Sequence, residues 1–314
     1  MKKKLYIPAL LCTCALLLSA CGAPANTGSH AEAENNNDIL TIAATTYPVY
    51  EFATTLTEGM ENVEVELVVK QQISCLHDYT LTVSEMKTLE NADVILLSGA
   101  GLEDFMSSTL SAVSAPVVDC SEGIALLPAA SHEHGGSDPH IWLDPLRAVS
   151  MMETMAKGLA EIDSNHSLED YEANLAPAKE ELTQHAALWK DRFAALPEAQ
   201  RNLITFHDGF SYLADAFDLQ ILKSIEEEAG SEASAKDILH IVELVKQYEL
   251  PMIFVEANGS DATATAIQRE TGVEIGTLSM IMSDNGMTYL ENLDQNLTVI
   301  YEGLTGEEVP ADAD

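Results

Sequence analysis

Three histidines stand where predicted β-strands give way to loops: His77, His140 and His207. They lie in the stretches "QQISCLHDYT", "SDPHIWLDP" and "TFHDGFSYL". Neutral imidazole is a good ligand for zinc, copper, nickel and iron, and three imidazoles can hold zinc with a fourth position open. Aspartates stand near all three in the chain: Asp78, Asp138 or Asp144, and Asp208. Because a metal-bound histidine usually donates its other ring N–H to an acceptor such as a carboxylate, this pattern predicts a metal site.

Two blocks of alternating strands and helices must position these histidines. Apolar runs alternate with amphipathic stretches over 39–143 and again over 199–304, which is typical of the α/β class. We predict two doubly wound α/β lobes with mainly parallel sheets, joined by one long backbone helix within the linking helices 144–198. Ligands of open α/β sheets bind at the carboxyl ends of the strands, so the metal cleft is expected between the lobes.

Local signals predict where several helices begin or bend. Asp144 and Pro145 predict the start of the first linking helix, because aspartate is a good N-cap and proline fits the first turn. Pro177 lies inside the second linking helix and is expected to kink it. Ser84 is a candidate cap for the helix over 82–92, and "LEDFMSSTLSAV" is predicted to be helical. Three further histidines are interpreted as ordinary surface positions: His166, His185 and His240.

The first residues have the order of a secretory signal peptide. In "MKKKLYIPALLCTCALLLSAC" three lysines precede an apolar run, which is followed by small residues. The letters "LSAC" resemble a bacterial lipobox, which predicts a lipoprotein signal peptide over 1–20 and a lipid anchor on Cys21; an ordinary cleaved signal is the alternative. The small, polar segment 21–38 is interpreted as a flexible tether, and 305–314 as a frayed tail. The protein is therefore expected outside the cytoplasm, anchored by lipid to a bacterial cell membrane.

The formal net charge is strongly negative, at −36. Nucleic acid is not expected as a partner, because phosphate contacts need clusters of lysine and arginine. A negative field favours cations, although the solubility of an exported acidic protein explains the charge as well. Two cysteines lie beyond Cys21, and Cys75 and Cys120 form either one disulfide or two buried thiols, between which their spacing does not decide.

Longer stretches of the chain resemble a known family. They are "CLHDYTLTVSEMKTLENADVILLSGAGLEDFM", "DPHIWLDP", "FHDGFSYLADAFDL", "IFVEANGSDATATAIQRETG" and "TYLENLDQNL". In this order they are similar to the solute-binding component of zinc and manganese ABC importers, over nearly all of 39–304. The resemblance implies two lobes joined by a rigid helix, a metal held between the lobes, and delivery of that metal to a membrane permease with its ATPase. It also implies a monomer that is not an enzyme.

The same resemblance assigns the metal ligands. His77, His140 and His207 match the three histidine positions of the family. Members that bind manganese tend to have a carboxylate at the third position, so the trio implies Zn(II) as the transported ion, with Mn(II) as the alternative. The segment "SHEHGG" resembles a shortened form of the histidine-rich loop of zinc members, in which His132 and His134 either collect zinc or belong to a polar loop.

The fourth metal position departs from the family pattern. Many members have an aspartate after the last strand of the second lobe, where this chain has Leu278 and Ser279 in "GTLSMIMSDNG". Water is ranked first for this position and Glu256 second. The other candidates are Glu228, Asp284 and Cys75.

Two other classes of function remain as alternatives. Three histidines with an open fourth position also occur in zinc hydrolases, but the chain has no His-Glu-x-x-His pair and no Gly-x-Ser-x-Gly motif. A metal-dependent adhesin is the second alternative, because some members of the resembled family have that activity.

Overall fold

The computed structural model describes residues 39–71, 76, 79–129, 136–226, 234–257 and 261–310. Within these ranges, no helix combines the length and the apolar character that a membrane span requires. The predicted signal peptide, the predicted tether and several predicted site residues lie outside the described part of the chain. Those residues are Cys21, Cys75, His77, Asp78, His132, His134 and Glu228.

The first lobe contains a four-stranded parallel sheet. Its strands are β1 (Leu40–Ala44), β2 (Val63–Leu67), β3 (Val94–Leu97) and β4 (Val117–Asp119). Its helices are α1 (Tyr47–Leu56), α2 (Val83–Asn91) and the single turn α3 (Ser107–Leu110). The strand order is β2-β1-β3-β4, and every pair is parallel. The central strands β1 and β3 are mainly buried, as predicted for the run "DVILLSG", whereas the edge strands β2 and β4 are partly exposed.

Two helices link the lobes: α4 (Pro145–Ala160) and α5 (Leu168–Ala194). Asp144 caps α4 as predicted, because its Oδ1 accepts hydrogen bonds from the N–H groups of Leu146 (2.8 Å) and Arg147 (3.2 Å). Helix α5 continues through Pro177 to its end at Ala194. Its buried face, which includes Trp189, packs into the core. This packing stabilises the helix and offsets the stability lost with the backbone hydrogen bond that proline cannot make.

The second lobe repeats the architecture of the first. Its strands are β5 (Asn202–His207), β6 (Gln220–Glu226), β7 (Met252–Glu256) and β8 (Glu274–Leu278). Its helices are α6 (Ser211–Ala216), α7 (Ala235–Tyr248), α8 (Asp261–Thr271) and α9 (Tyr289–Thr305). The order β6-β5-β7-β8 is again parallel throughout. The fold is thus two parallel α/β lobes joined by helices, which confirms the predicted class.

One apolar core extends through both lobes. A continuous cluster of buried side chains contains Phe52 of α1, Trp189 of α5 and Phe254 of β7. A second, smaller cluster lies in the second lobe and contains Ile241 of α7 and Ile267 of α8. Because burial of apolar surface is the main driving force of folding, the shared cluster holds the two lobes and the linking helices together.

The start of α2 differs from the prediction. The N-cap is Thr82, whereas Ser84 lies inside the first turn. Thr82 Oγ1 accepts a hydrogen bond from the Glu85 N–H (3.3 Å), and Glu85 Oε2 accepts one from the Thr82 N–H (2.6 Å). This capping box satisfies two backbone donors at once, which a cap at Ser84 would not do.

The stretch "LEDFMSSTLSAV" is also less helical than predicted. It forms a 3₁₀ turn over Asp104–Met106 and the single turn α3. The buried Glu103 carboxylate accepts hydrogen bonds from Thr45 Oγ1 (2.7 Å) and from the N–H groups of Ser98 (2.7 Å) and Gly99 (3.1 Å). These bonds hold the start of the stretch to the residues that follow β1 and β3, and its first turn is a 3₁₀ turn.

Glu103 makes the stability of the first lobe depend on pH. Burial raises the pKa of Glu103 from 4.5 to about 7, although its three hydrogen bonds act in the opposite direction. Stability from this group is fully present at a pH below the unfolded pKa of about 4.3. It is lost as the pH rises through about 7, with a total loss of at most about 4 kcal/mol.

Replacing Glu103 by glutamine is expected to flatten this pH dependence. The free energy of unfolding of Glu103→Gln should change less between pH 4.5 and 7 than that of the wild type, because glutamine does not ionise over the range in which the folded carboxyl titrates. Urea denaturation at a series of pH values measures the difference. Glu122→Gln, which changes an exposed glutamate of the same lobe, is the control. Equal slopes in Glu103→Gln and the wild type would contradict the prediction.

Candidate metal centre

His140 is held by the aspartate two residues before it. It precedes a short 3₁₀ helix (Ile141–Leu143) and is 4% exposed. Asp138 Oδ1 accepts a hydrogen bond from the His140 backbone N–H (2.9 Å) and contacts His140 Nδ1 at 2.8 Å. Of the two aspartates that the sequence offered, Asp138 therefore contacts the ring, whereas Asp144 caps α4.

The electrostatics of this pair fix the orientation of the imidazole. Burial raises the pKa of Asp138, but the hydrogen bonds from the His140 ring, the His140 backbone and the Ser211 side chain outweigh it, and the pKa is lowered below its usual value. The carboxylate is therefore ionised and accepts a hydrogen bond from the Nδ1–H group of His140. The Nε2 atom of His140 then carries the lone pair that a metal ion needs.

His207 is the last residue of β5, and its ring faces that of His140. The two Nε2 atoms are 3.3 Å apart, and the ring planes are perpendicular, with centroids 5.0 Å apart. His207 is 2% exposed. Two nitrogen ligands at 2.0–2.1 Å from a tetrahedral zinc ion lie about 3.3 Å from each other. The pair thus has the nitrogen separation of half a tetrahedral zinc site.

The remaining ligand predictions fall into two groups. His77, Cys75 and Glu228 lie outside the described residues. Within the described ranges, no third histidine, cysteine, aspartate or glutamate completes a group of three with a geometry that could hold a metal ion. Asp284 is exposed, and its Oδ1 accepts a hydrogen bond from the Gly286 N–H (2.8 Å), which closes a turn.

Glu256 is nevertheless the carboxylate that the sheet places beside His207. Thr205 of β5 pairs with Phe254 of β7, so His207 and Glu256, two residues further along each strand, stand level on the same face of the sheet. Glu256 is 4% exposed and lines a cavity of about 320 Å³ together with Ser279.

The structure also describes a cysteine and three histidines outside the predicted site. Cys120 is a buried free thiol, and Cys75, its predicted counterpart, lies outside the described residues. His166 and His185 are only 18% and 12% exposed, and they contact Asp163 (2.8 Å) and Asp294 (3.0 Å) respectively. The surface interpretation is therefore wrong for these two histidines. It is confirmed for the exposed His240.

Sequence reasoning missed two aromatic residues around His140. Trp142 is fully buried, and its Nε1 donates to the Met280 carbonyl oxygen (2.8 Å). The Tyr212 hydroxyl donates to the Asp138 carbonyl oxygen (3.0 Å). Both stand in the quoted motifs "DPHIWLDP" and "FHDGFSYL", but no local pattern relates them to their distant partners.

Comparison with known proteins gives concordant matches. The family profile described as zinc-uptake complex component A, periplasmic, matches residues 42–303. A putative metal-binding protein of Treponema pallidum is 29% identical over 270 residues, which cover 81% of this chain and 84% of the relative. The manganese-binding lipoprotein MntA of Halalkalibacterium halodurans is 27% identical over 235 residues, which cover 73% and 77%.

A solved structure extends this similarity to three dimensions. It is that of the laminin-binding protein Lmb of Streptococcus agalactiae, which is described as a bifunctional protein with adhesin and metal transporting activity. The sequence identity is 27% and the TM-score is 0.75. The match covers 85% of this chain and 100% of the other.

Proposed function

The chain belongs to the family of periplasmic component A of zinc-uptake complexes, and on that premise we propose that it captures Zn(II) between its lobes and delivers it to an ABC permease. At the level of the family it is an extracytoplasmic, metal-binding component of an uptake system rather than an enzyme. The choice of zinc and the ligands that bind it are the parts of the function that we propose.

The proposed position of the zinc site rests on one observation. His140 Nε2 and His207 Nε2 face each other at 3.3 Å in a buried cleft, with Asp138 holding the first ring. This separation suits two ligands of one tetrahedral zinc ion. We propose His77 as the third ligand, on the resemblance of its motif "CLHDYT" to a histidine motif of the family. A site of three imidazoles favours zinc over manganese, which prefers oxygen ligands.

The fourth position is proposed to hold water, with Glu256 as the alternative. Glu256 stands level with His207 on the neighbouring strand, and this register is the support for its candidacy. A carboxylate ligand here would make the site more suitable for Mn(II), the ion in the name of one relative. Mn(II) therefore remains the alternative cargo.

The partners follow from the same proposal. A membrane-embedded permease and its ATPase receive the metal, and a lipid on Cys21 attaches the protein to the membrane. We propose that the chain acts as a monomer. The similarity to Lmb supports adhesion as a second function, which binding of the protein to immobilised laminin tests.

Metal analysis tests the proposed cargo. Protein purified without chelator is dialysed against zinc, manganese, or an equimolar mixture, and its metal content is measured. We expect about one zinc ion per chain, held in preference to manganese. Protein that stays free of zinc after dialysis, or that takes manganese from the mixture, would contradict the proposal.

Introducing a carboxylate at Ser279 is expected to tighten zinc binding severalfold. The Ser279 backbone N–H and carbonyl oxygen both pair with the Asn296 side chain (2.8 Å each), so the backbone stays in place when the side chain changes. In Ser279→Asp the new carboxylate faces the cavity that Glu256 also lines. Ser283→Asp, which adds the same charge to the same cavity, is the matched control. Isothermal titration that gives equal affinities for all three proteins would show that position 279 points away from the metal.

A further inference from the structure

The segment that carries His140 is attached to the second lobe, although in the chain it follows the first. The Tyr212 hydroxyl donates to the Asp138 carbonyl oxygen (3.0 Å), and Trp142 Nε1 donates to the Met280 carbonyl oxygen (2.8 Å). The Tyr289 hydroxyl donates to the Trp142 carbonyl oxygen. Three side-chain hydrogen bonds to the second lobe thus hold residues 138–142, the stretch that contains His140.

Tyr212 occupies a central place among these contacts. Its hydroxyl also accepts a hydrogen bond from the Leu127 N–H (2.9 Å), while the Leu127 carbonyl oxygen accepts one from the Asp138 N–H (2.8 Å). The hydroxyl therefore donates one hydrogen bond to Asp138 and accepts one from Leu127. It fixes the backbone of the residue whose carboxylate orients His140.

The ring of Tyr212 is itself immobilised. Tyr212 is fully buried in α6, and the Arg147 guanidinium lies 5.0 Å from its ring centroid. Arg147 also forms ion pairs with Asp144 (2.8 Å) and Asp215 (2.7 Å), which hold it over the ring. The hydroxyl thus has a fixed position relative to His207, which lies five residues before Tyr212 in the chain.

We propose that Tyr212 and Trp142 are positioning residues that hold His140 opposite His207 before the metal arrives. The inference rests on the proposed zinc site. The second lobe then carries a preorganised pair of ligands, and zinc does not have to order the His140 segment when it binds. Residues that do not touch the metal but hydrogen-bond to its ligands and orient them typically contribute a factor of about 10 to 100 in metal affinity.

Tyr212→Phe and Tyr171→Phe form a matched pair that tests this role. Both tyrosines are fully buried, and each hydroxyl donates a hydrogen bond to an aspartate residue. Tyr212 donates to the Asp138 carbonyl oxygen (3.0 Å), and Tyr171 donates to Asp163 Oδ2 (2.7 Å) at the junction of α4 and α5. Both variants should have a lower urea midpoint, because Tyr171→Phe loses one buried hydrogen bond and Tyr212→Phe loses two, to Asp138 and to Leu127. Only Tyr212→Phe should weaken Zn(II) binding, by about tenfold in a competition titration against a chelating dye.

A spectroscopic measurement separates positioning from general stability. Co(II) is added in place of zinc, and its visible absorption reports the geometry of its ligands. We expect a changed spectrum in Tyr212→Phe and the wild-type spectrum in Tyr171→Phe. Wild-type affinity and spectrum in Tyr212→Phe would overturn the inference, as would an equal loss of affinity in both variants.

Trp142→Phe provides an independent test if Tyr212→Phe does not fold. It removes the hydrogen bond to Met280 and leaves Tyr212 in place. It is expected to weaken Zn(II) binding severalfold and to change the Co(II) spectrum, and wild-type values for both would overturn the inference. If His140→Ala loses zinc while the two positioning variants retain it, only this inference fails. If the wild type does not bind zinc, the proposed function fails with it.

Discussion

Replacing His140 by alanine is expected to weaken zinc binding by at least about tenfold and to leave the fold intact. The substitution removes one of two Nε2 atoms that stand 3.3 Å apart, so it leaves the ion with an incomplete set of nitrogen ligands. It also leaves Asp138 without its ring partner, although the carboxylate still accepts the backbone N–H of residue 140 (2.9 Å). Isothermal titration measures the affinity, and circular dichroism during thermal unfolding measures the fold.

His166→Ala is the matched control for this prediction. His166 Nδ1 contacts Asp163 Oδ2 at 2.8 Å, the distance that also separates His140 Nδ1 from Asp138 Oδ1. The two variants therefore remove the same kind of histidine–aspartate pair, but only one lies in the proposed site. Zinc affinity that is the same in His140→Ala, His166→Ala and the wild type would remove His140 from the site.

Replacing Trp189 by alanine is expected to lower the free energy of unfolding by about 3–5 kcal/mol. Trp189 is 1% exposed on α5, and its ring stacks on that of Phe193, with centroids 5.7 Å apart. It also contacts Tyr301 of α9 at a centroid distance of 6.3 Å, and its Nε1 donates to Asp294 Oδ1 (2.9 Å). The substitution would leave a large cavity where the linking helix meets the second lobe.

Urea denaturation of Trp189→Ala and Leu188→Ala measures this contribution. Leu188 is the neighbouring residue on the same helix and is 37% exposed, so its replacement should change the free energy of unfolding by about 1 kcal/mol or less. The difference between the variants reports mainly the burial of Trp189, because the helix propensities of tryptophan and leucine differ by less than about 1 kcal/mol. A loss below about 1 kcal/mol in Trp189→Ala would contradict a shared core between helix and lobe.

The fold could be predicted from the sequence because its signals are local and repeated. Apolar runs such as "DVILLSG" produced buried parallel strands, and Asp144 with Pro145 marked the start of α4 correctly. Two local predictions were wrong. Thr82, not Ser84, is the N-cap, because the Glu85 side chain also accepts a hydrogen bond from the Thr82 N–H. The stretch after Glu103 forms short turns instead of the predicted helix, and Glu103 at its start accepts hydrogen bonds from residues that follow two strands.

The candidate site was only partly predictable for a different reason. His207 ends β5 and His140 lies in the long connection between β4 and α4, so the order of elements indicated where each stands but not that their Nε2 atoms are 3.3 Å apart. The contacts of Tyr212 with Asp138 and of Trp142 with Met280 join residues 74 and 138 positions apart, and no local pattern encodes such pairs. The level position of Glu256 beside His207 depends on strand register, which follows from the pairing of β5 with β7.

A crystal structure of the zinc-loaded protein, with anomalous data collected on both sides of the zinc absorption edge, would locate the bound ion. We expect one strong anomalous peak between the lobes, at about 2.0–2.1 Å from the Nε2 atoms of His140 and His207, with His77 as the third protein ligand. A zinc peak that contacts neither His140 nor His207 would contradict this expectation.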